Sequence, residues 1–308
     1  MEEILIFGHK NPDTDSICSS LVKQDLDAKL GKANEKAVRL GNVNKETQYV
    51  LDYLGIETPE LINKVEDGQK VILVDHNEAA QSAYNRENAE ILEVVDHHRI
   101  ADFKTDKPLF YTAKPFGCTS TILFEEYKAQ GLEISKKEAT LMLSAIISDT
   151  LLLKSPTTTE HDKKALAELE KIAEIDAKDY GLKMLKAGTD TSALSAIEII
   201  QLDEKEFNEK GKKFAVSQVN TADINDVFSR KEDLSFAMEK EIADKNLDLA
   251  ILVITDIINT NSRIIALGKE KELVEKAFGK KLDSDDSMLL EGVVSRKKQI
   301  APPLLAVL

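Results

Sequence analysis

Four acidic or histidine-bearing clusters punctuate the first half of this 308-residue chain: His9-Lys10-Asn11-Pro12-Asp13-Thr14-Asp15, Asp75-His76, Asp96-His97-His98 and Asp149. They contain four of its five histidines. Pure oxygen donor sets suit magnesium or calcium and thiolates suit zinc. Two imidazoles among four carboxylates fit manganese or cobalt better than zinc or iron. Two such ions ~3.5–4 Å apart would need a bridging carboxylate and would acidify a shared water into a nucleophile, chemistry that splits phosphoanhydrides. Asp75 is the natural bridge: it directly follows an apolar run, where an unpaired carboxylate is expensive. Asp96, His97 and His98 are consecutive, so in extended geometry neighbours point to opposite sides. One histidine could then bind metal while the other faces a substrate. Asp13 and Asp15 would share one side if their segment is extended, and Pro12 keeps Asn11 out of helical geometry.

Each residue also has a plain reading. Asp15 or Ser16 can cap a helix, Asp75 can accept backbone hydrogen bonds in a turn, and His97 or His98 alone reads as an ordinary histidine. His76 and His161 read as structural or surface residues, and Cys18 and Cys118 as small buried side chains. Taken singly, these readings leave unexplained why the clusters gather at one end of one sheet. Far along the chain, Ser295-Arg296-Lys297-Lys298-Gln299 is either a solvated run or an oxyanion clamp, and Lys205 alone resembles any surface lysine.

The elements that must position these residues follow from the apolar pattern. Continuous apolar runs at residues 4–7, 71–74 and 91–95 read as strands buried on both faces of a parallel sheet, with a further strand at 37–40. Helical spacing covers Ile17 to Leu30, Thr47 to Leu54, 119–130 and 135–148. This alternation predicts a doubly wound, mostly parallel α/β domain, whose ligand site lies beyond the carboxyl ends of the strands. Three clusters fall directly after strands, and Asp149 arrives from a helix end. The small, polar stretch near 187–195 reads as a linker. The organisation expected is a catalytic domain over 1–187, a hinge at 188–195 and a smaller α/β domain over 196–308. In the latter, strands are expected at 214–219, 249–254, 263–267 and 288–294, and helices around 222–245 and at 270–278.

Composition narrows the function classes. Against 55 Asp and Glu stand 41 Lys and Arg, a net charge of -14, which disfavours non-specific nucleic-acid or anionic-membrane binding. Tryptophan is absent, which weakens a base-stacking track. No apolar stretch approaches the ~20 residues of a membrane span. The acidic Met1-Glu2-Glu3 start lacks the basic segment of a signal peptide. Two distant cysteines make no disulfide framework, so a reduced, cytoplasmic enzyme is expected.

The combination Gly8-His-Lys-Asn-Pro-Asp-Thr-Asp15, Val74-Asp-His-Asn77, Val95-Asp-His-His-Arg99 and Ser148-Asp149 resembles the DHH phosphoesterase superfamily. With Ser295-Arg-Lys-Lys-Gln299 added, it looks like a family II, manganese-dependent inorganic pyrophosphatase over essentially the whole chain. The resemblance implies that His9 and Asp13 bind one manganese, that Asp15, His97 and Asp149 bind a second, and that Asp75 bridges them. It implies that a metal-bridging hydroxide attacks in line, that His98 contacts phosphate, and that Lys205, Arg296 and Lys297 hold pyrophosphate across a cleft between two closing domains. Magnesium would accompany the substrate, cobalt could replace manganese, and homodimers would form through the first domain. Two alternatives remain at this stage. A DHH phosphodiesterase acting on oligonucleotides or cyclic dinucleotides would carry a glycine-rich, histidine-containing loop in its second domain, and none follows residue 200. A non-catalytic metal-binding module would have no use for the Arg296-Lys297-Lys298 run.

Overall fold

The run Ile4–Phe7 forms β1, at the middle of a six-stranded sheet in the computed structural model, which describes residues 3–32 and 34–308. Most of the acidic start, Met1 and Glu2, lies outside the described residues. The chain divides into two compact units, Met1–Gly188 and Thr189–Leu308.

The first unit runs β1, α1 (Thr14–Lys29), β2 (Glu35–Arg39), α2 (Lys45–Leu54), β3 (Glu60–Leu61), β4 (Lys70–Val74), β5 (Glu90–Asp96), β6 (Phe110–Ala113), α3 (Thr119–Ala129), α4 (Lys136–Thr150), α5 (Glu160–Ala173) and α6 (Ala177–Gly188). The sheet order is β3-β2-β1-β4-β5-β6, and every pairing is parallel. Its direction of growth reverses between β1 and β4, and a crevice opens beyond the strand ends at such a reversal. Strand alternation divides the core. Ile6, Ile72 and Val74 line one face, against which α1 and α3 pack, while Phe7, Val71, Leu73 and Val94 line the other. That second face is closed by Val65, Ala83 and Phe103 from irregular segments.

The second unit runs α7 (Ala196–Gln201), β7 (Glu204–Glu209), β8 (Lys212–Thr221), α8 (Ile224–Phe228), α9 (Lys231–Lys245), β9 (Leu249–Asp256), β10 (Asn261–Leu267), α10 (Glu272–Phe278) and β11 (Ser287–Glu291). A π-helical turn, Arg296–Ile300, then leads into α11 (Ala301–Val307). The sheet order is β11-β10-β9-β8-β7, with only β8 and β9 parallel. The helical pattern expected around 222–245 is two helices, α8 and α9, broken at Ser229 and Arg230. Among the described residues no helix is long and apolar enough to cross a membrane.

Candidate metal centre

Short loops at the sheet's carboxyl edge deliver the donors. His9 lies two residues beyond β1, Asp75 directly follows β4, His97 follows β5, and Asp149 is the penultimate residue of α4. Asn11 takes left-handed geometry (φ 53°), and Asp13 caps α1 by accepting from Ser16 N at 2.9 Å. The cap is therefore Asp13, not Asp15 or Ser16. The segment is not extended, because Asp15 already lies in the helix's first turn. Asp13 and Asp15 consequently turn to different partners. Ligand atoms of His9, Asp13 and Asp75 lie within 4.8 Å of one another, as do those of Asp15, His97 and Asp149, and those of Asp75, His97 and His98.

Backbone carbonyls fix both imidazoles. His9 Nδ1 bonds the Lys10 carbonyl at 2.8 Å, leaving Nε2 3.4 Å from Asp13 Oδ2 and from Asp75 Oδ2. His97 Nδ1 bonds the Phe116 carbonyl at 3.1 Å, leaving Nε2 3.4 Å from Asp75 Oδ1 and 3.8 Å from Asp149 Oδ2. With Nδ1 donating to a carbonyl, each ring turns Nε2 toward the carboxylates, and Nε2 is the atom a metal would bind in place of any proton there. Asp75 turns one oxygen toward each histidine.

Electrostatics identify what the cluster needs. Asp75, at φ 57°, is 1% exposed, and Asp75 Oδ2 and Asp149 Oδ2 are buried without a hydrogen-bond partner. Burial, then the charges of Asp15 and its neighbours, pushes both carboxyls well above the usual range. Burial opposes charge on His9, but Asp13 and Asp75 beside it win and raise it to about 9. Converging carboxylates are here compensated by protons. A divalent cation would replace those protons and satisfy the orphaned oxygens, so the donor set fits a hard or borderline metal.

Other contacts carry no sequence signal of their own. Asp15, fully buried, accepts from Ser19 Oγ at 2.7 Å, Thr119 N at 2.7 Å and Ser120 N at 3.1 Å. Thr119 Oγ1 donates to Asp75 Oδ1 at 3.1 Å, and Glu46 accepts from Thr14 and Ser148, tying α1 to α4. Thr119 and Ser120, small and polar at the head of an apolar helix, are the residues a reader of the sequence could have flagged. Asp96 accepts from His98 N and Nδ1 and from Asn77 Nδ2, so it orients the half-exposed His98 ring. His76 is buried between the Val74 carbonyl and Ser82. His161 is half-exposed and stacks on Phe116. Cys18 and Cys118 are free and buried.

In the second unit, Arg296 is folded in rather than solvated, with its side chain 17% exposed. Its guanidinium bonds Asp203 Oδ1 at 2.8 Å, the Asp203 carbonyl and the Val216 carbonyl, and Gln218 Oε1 accepts from its backbone N–H at 3.1 Å. Arg296 is thus brought beside the segment that carries Lys205 on β7. Lys205 is exposed, its ammonium 5.3 Å from the Phe207 ring centre, and Lys297 is exposed one residue along the π-helical turn.

A parallel α/β sheet at whose carboxyl edge two imidazoles and four carboxylates converge from strand and helix ends, followed by a separate cation-bearing α/β unit, defines a metal-dependent hydrolase acting on phosphoryl bonds. Residues 3–146 match the DHH family, N-terminal domain, and residues 182–307 match the DHHA2 domain. The manganese-dependent inorganic pyrophosphatase of Bacillus subtilis is 54% identical over 305 residues, 99% of this chain and 98% of that one. A Staphylococcus carnosus relative assigned the same activity is 51% identical over the full length of both chains. A Methanococcus jannaschii crystal structure assigned to the family II inorganic pyrophosphatases superposes with a TM-score of 0.62 at 40% identity, covering 99% of each chain. The chain belongs to the family II, manganese-dependent inorganic pyrophosphatases.

Proposed function

We propose that the protein hydrolyses inorganic pyrophosphate to two phosphates in a manganese-dependent reaction. The observation that carries this is the pair of buried carboxylate oxygens on Asp75 and Asp149 that have no hydrogen-bond partner, set beside the Nε2 atoms of His9 and His97, whose Nδ1 atoms bond backbone carbonyls. Full-length relatives at about half identity carry the same activity by name.

The reading assigns His9 and Asp13 to one manganese, Asp15, His97 and Asp149 to a second, and Asp75 to both. Bound manganese would supply positive charge against the phosphoryl oxygens and acidify water near neutral pH. The chain's own residues do the rest. The Lys10 and Phe116 carbonyls hold the histidines in one tautomer. Asp96 holds His98 so that its outer nitrogen is free for a phosphate oxygen. Arg296 can pair two phosphate oxygens at once, whereas Lys205 and Lys297 act as point charges. Because Asp203 already pairs with Arg296, phosphate must share that guanidinium or displace the carboxylate.

Magnesium accompanying pyrophosphate, cobalt as a substitute metal and a cytoplasmic location belong to the same reading. So does a homodimer through the first unit. Phe110 on the edge strand β6 is 78% exposed beside a cavity of about 790 Å³ lined by Ile4, Ile72, Leu92 and Leu109, which supports pairing at that edge. Light scattering tests it. The activity itself is tested by phosphate release from pyrophosphate with manganese, run beside a dinucleotide substrate. Turnover of pyrophosphate alone is expected, and turnover of the dinucleotide alone would overturn the reading in favour of a DHH phosphodiesterase.

A further inference from the structure

The segment from Phe116 to Thr121, the end of the β6–α3 loop and the first turn of α3, is bonded to the metal cluster along its length. The Phe116 carbonyl accepts from His97 Nδ1 at 3.1 Å. Thr119 N and Ser120 N donate to the two oxygens of Asp15, and Thr119 Oγ1 donates to Asp75. One strap therefore orients three of the six residues assigned to metal.

The strap is in turn held by Asp162, in the first turn of α5 and fully buried. Asp162 Oδ2 accepts from Gly117 N at 2.9 Å and Oδ1 accepts from Thr121 Oγ1 at 2.7 Å, so the two bonds grip both sides of Cys118–Ser120. The approach is close enough to require glycine. A Cβ on residue 117 would lie 2.7 Å from Asp162 Oδ2 and 3.0 Å from Thr150 Cγ2. Asp162 also closes the capping box of α5 with Thr159, whose N and Oγ1 both reach Oδ2 at 2.7 Å. That local role needs neither Gly117 nor Thr121.

We propose that Asp162 is a positioning residue for the metal centre, acting through the 116–121 strap on His97, Asp15 and Asp75. The proposal rests on the reading that those three residues bind manganese. A buried carboxylate accepting several hydrogen bonds is a stiff anchor, and the strap it anchors supplies the groups that fix the ligands and so govern metal affinity.

The test is manganese binding by metal-free protein, titrated by calorimetry and by the electron paramagnetic resonance of free manganese, with melting temperature measured alongside. Asp162→Asn is expected to weaken binding about 10-fold, the lower end of the ~10–100-fold seen for groups bonded to the ligands themselves, because it acts through the strap. Thr121→Val, which removes one bond between the strap and Asp162, should weaken it in the same direction and carry the test if Asp162→Asn does not fold; Gly117→Ala, which crowds Asp162 Oδ2 and Thr150, should weaken it too. Thr159→Ala, which touches only the cap, should lower the melting temperature and leave manganese affinity unchanged. Wild-type affinity in folded Asp162→Asn, or an equal loss in Thr159→Ala and Thr121→Val, would overturn the proposal. Asp15→Asn separates the two ideas. If it binds manganese like the wild type, the metal assignment fails and the proposal with it. If it binds weakly while Asp162→Asn does not, only the proposal falls.

Discussion

Asp75 holds a left-handed backbone and a buried carboxylate for which the protein alone provides too little compensation. Such a residue is costly to the metal-free fold, and the proposed metal would relieve that cost. Asp75→Asn keeps the shape and removes the charge. The metal-free variant is expected to melt no lower than metal-free wild type, while pyrophosphatase rate falls beyond the ~10–100-fold typical of outer-shell partners. Calorimetry of the two metal-free proteins and steady-state kinetics check both halves. Arg296 divides the other way. Arg296→Ala should reduce kcat/KM by about 10–100-fold, the scale of one or two charged hydrogen bonds, and leave manganese affinity at the wild-type value. Equal losses in both would sink the division between metal-binding and phosphate-binding residues. The residues that gather here were legible in the sequence because carboxylates and imidazoles stand out by type and position. The Phe116 and Lys10 carbonyls were not, since any residue supplies one, and Asp203 gave no sign of its pairing with Arg296 because 93 residues separate them.

Strands deliver these side chains to one place, and the tightest fit lies where β1 meets α1. A Cβ on Gly8 would lie 1.8 Å from Ser16 Oγ and 2.9 Å from Ser16 Cα, so no side-chain rotation alone relieves it. Gly8→Ala should therefore push the α1 terminus, with Asp13 and Asp15, off the sheet edge, and lower both melting temperature and manganese affinity. At the other end of α1, Lys23 is fully buried, 3.0 Å from Asp27 and 2.9 Å from Glu93, and Lys32 also reaches Asp27 at 2.9 Å. Glu35, opening β2, is pushed up to about 8 by burial and by Asp27. The folded state thus keeps a proton that the unfolded chain releases near 4.5. The stability this contributes is fully present below 4.5 and is lost as pH rises toward about 8. Glu35→Gln removes the dependence, so its urea midpoint should gain on wild type steadily between pH 5 and pH 8. A constant difference across that range would contradict it. The buried strands β1, β4 and β5 were legible because burial on both faces leaves an unbroken apolar run. Strand β7, Glu-Lys-Glu-Phe-Asn-Glu, was not, since an exposed edge strand has no such run. Strand β3, of two residues, is too short to leave a pattern.

At the scale of the whole molecule, the proposed metal donors all lie in Met1–Gly188 and the proposed phosphate cations Lys205, Arg296 and Lys297 all lie in Thr189–Leu308. Metal and substrate should therefore leave separable marks. A ligand that binds only the folded state stabilises by mass action, about 2.7 kcal/mol at a hundred times its Kd, and the gain appears first in the segments it touches. Manganese alone is expected to slow amide exchange around His9–Ser19, Asp75, Asp96–Thr121 and Asp149, because it would tie those segments together through shared ligands. Exchange in Thr189–Leu308 should not change. Adding a non-hydrolysable pyrophosphate analogue to the manganese-loaded protein should then slow exchange at Asp203–Phe207 and Ser295–Ile300 as well. The analogue without any divalent metal should leave both sets near their starting rates, since no cation would stand between the anion and the carboxylates. Hydrogen-exchange mass spectrometry resolves peptides of this size. Equal protection of both units by manganese alone, or an analogue that protects nothing beyond Gly188, would mean that substrate is held by the metal centre without Lys205, Arg296 and Lys297.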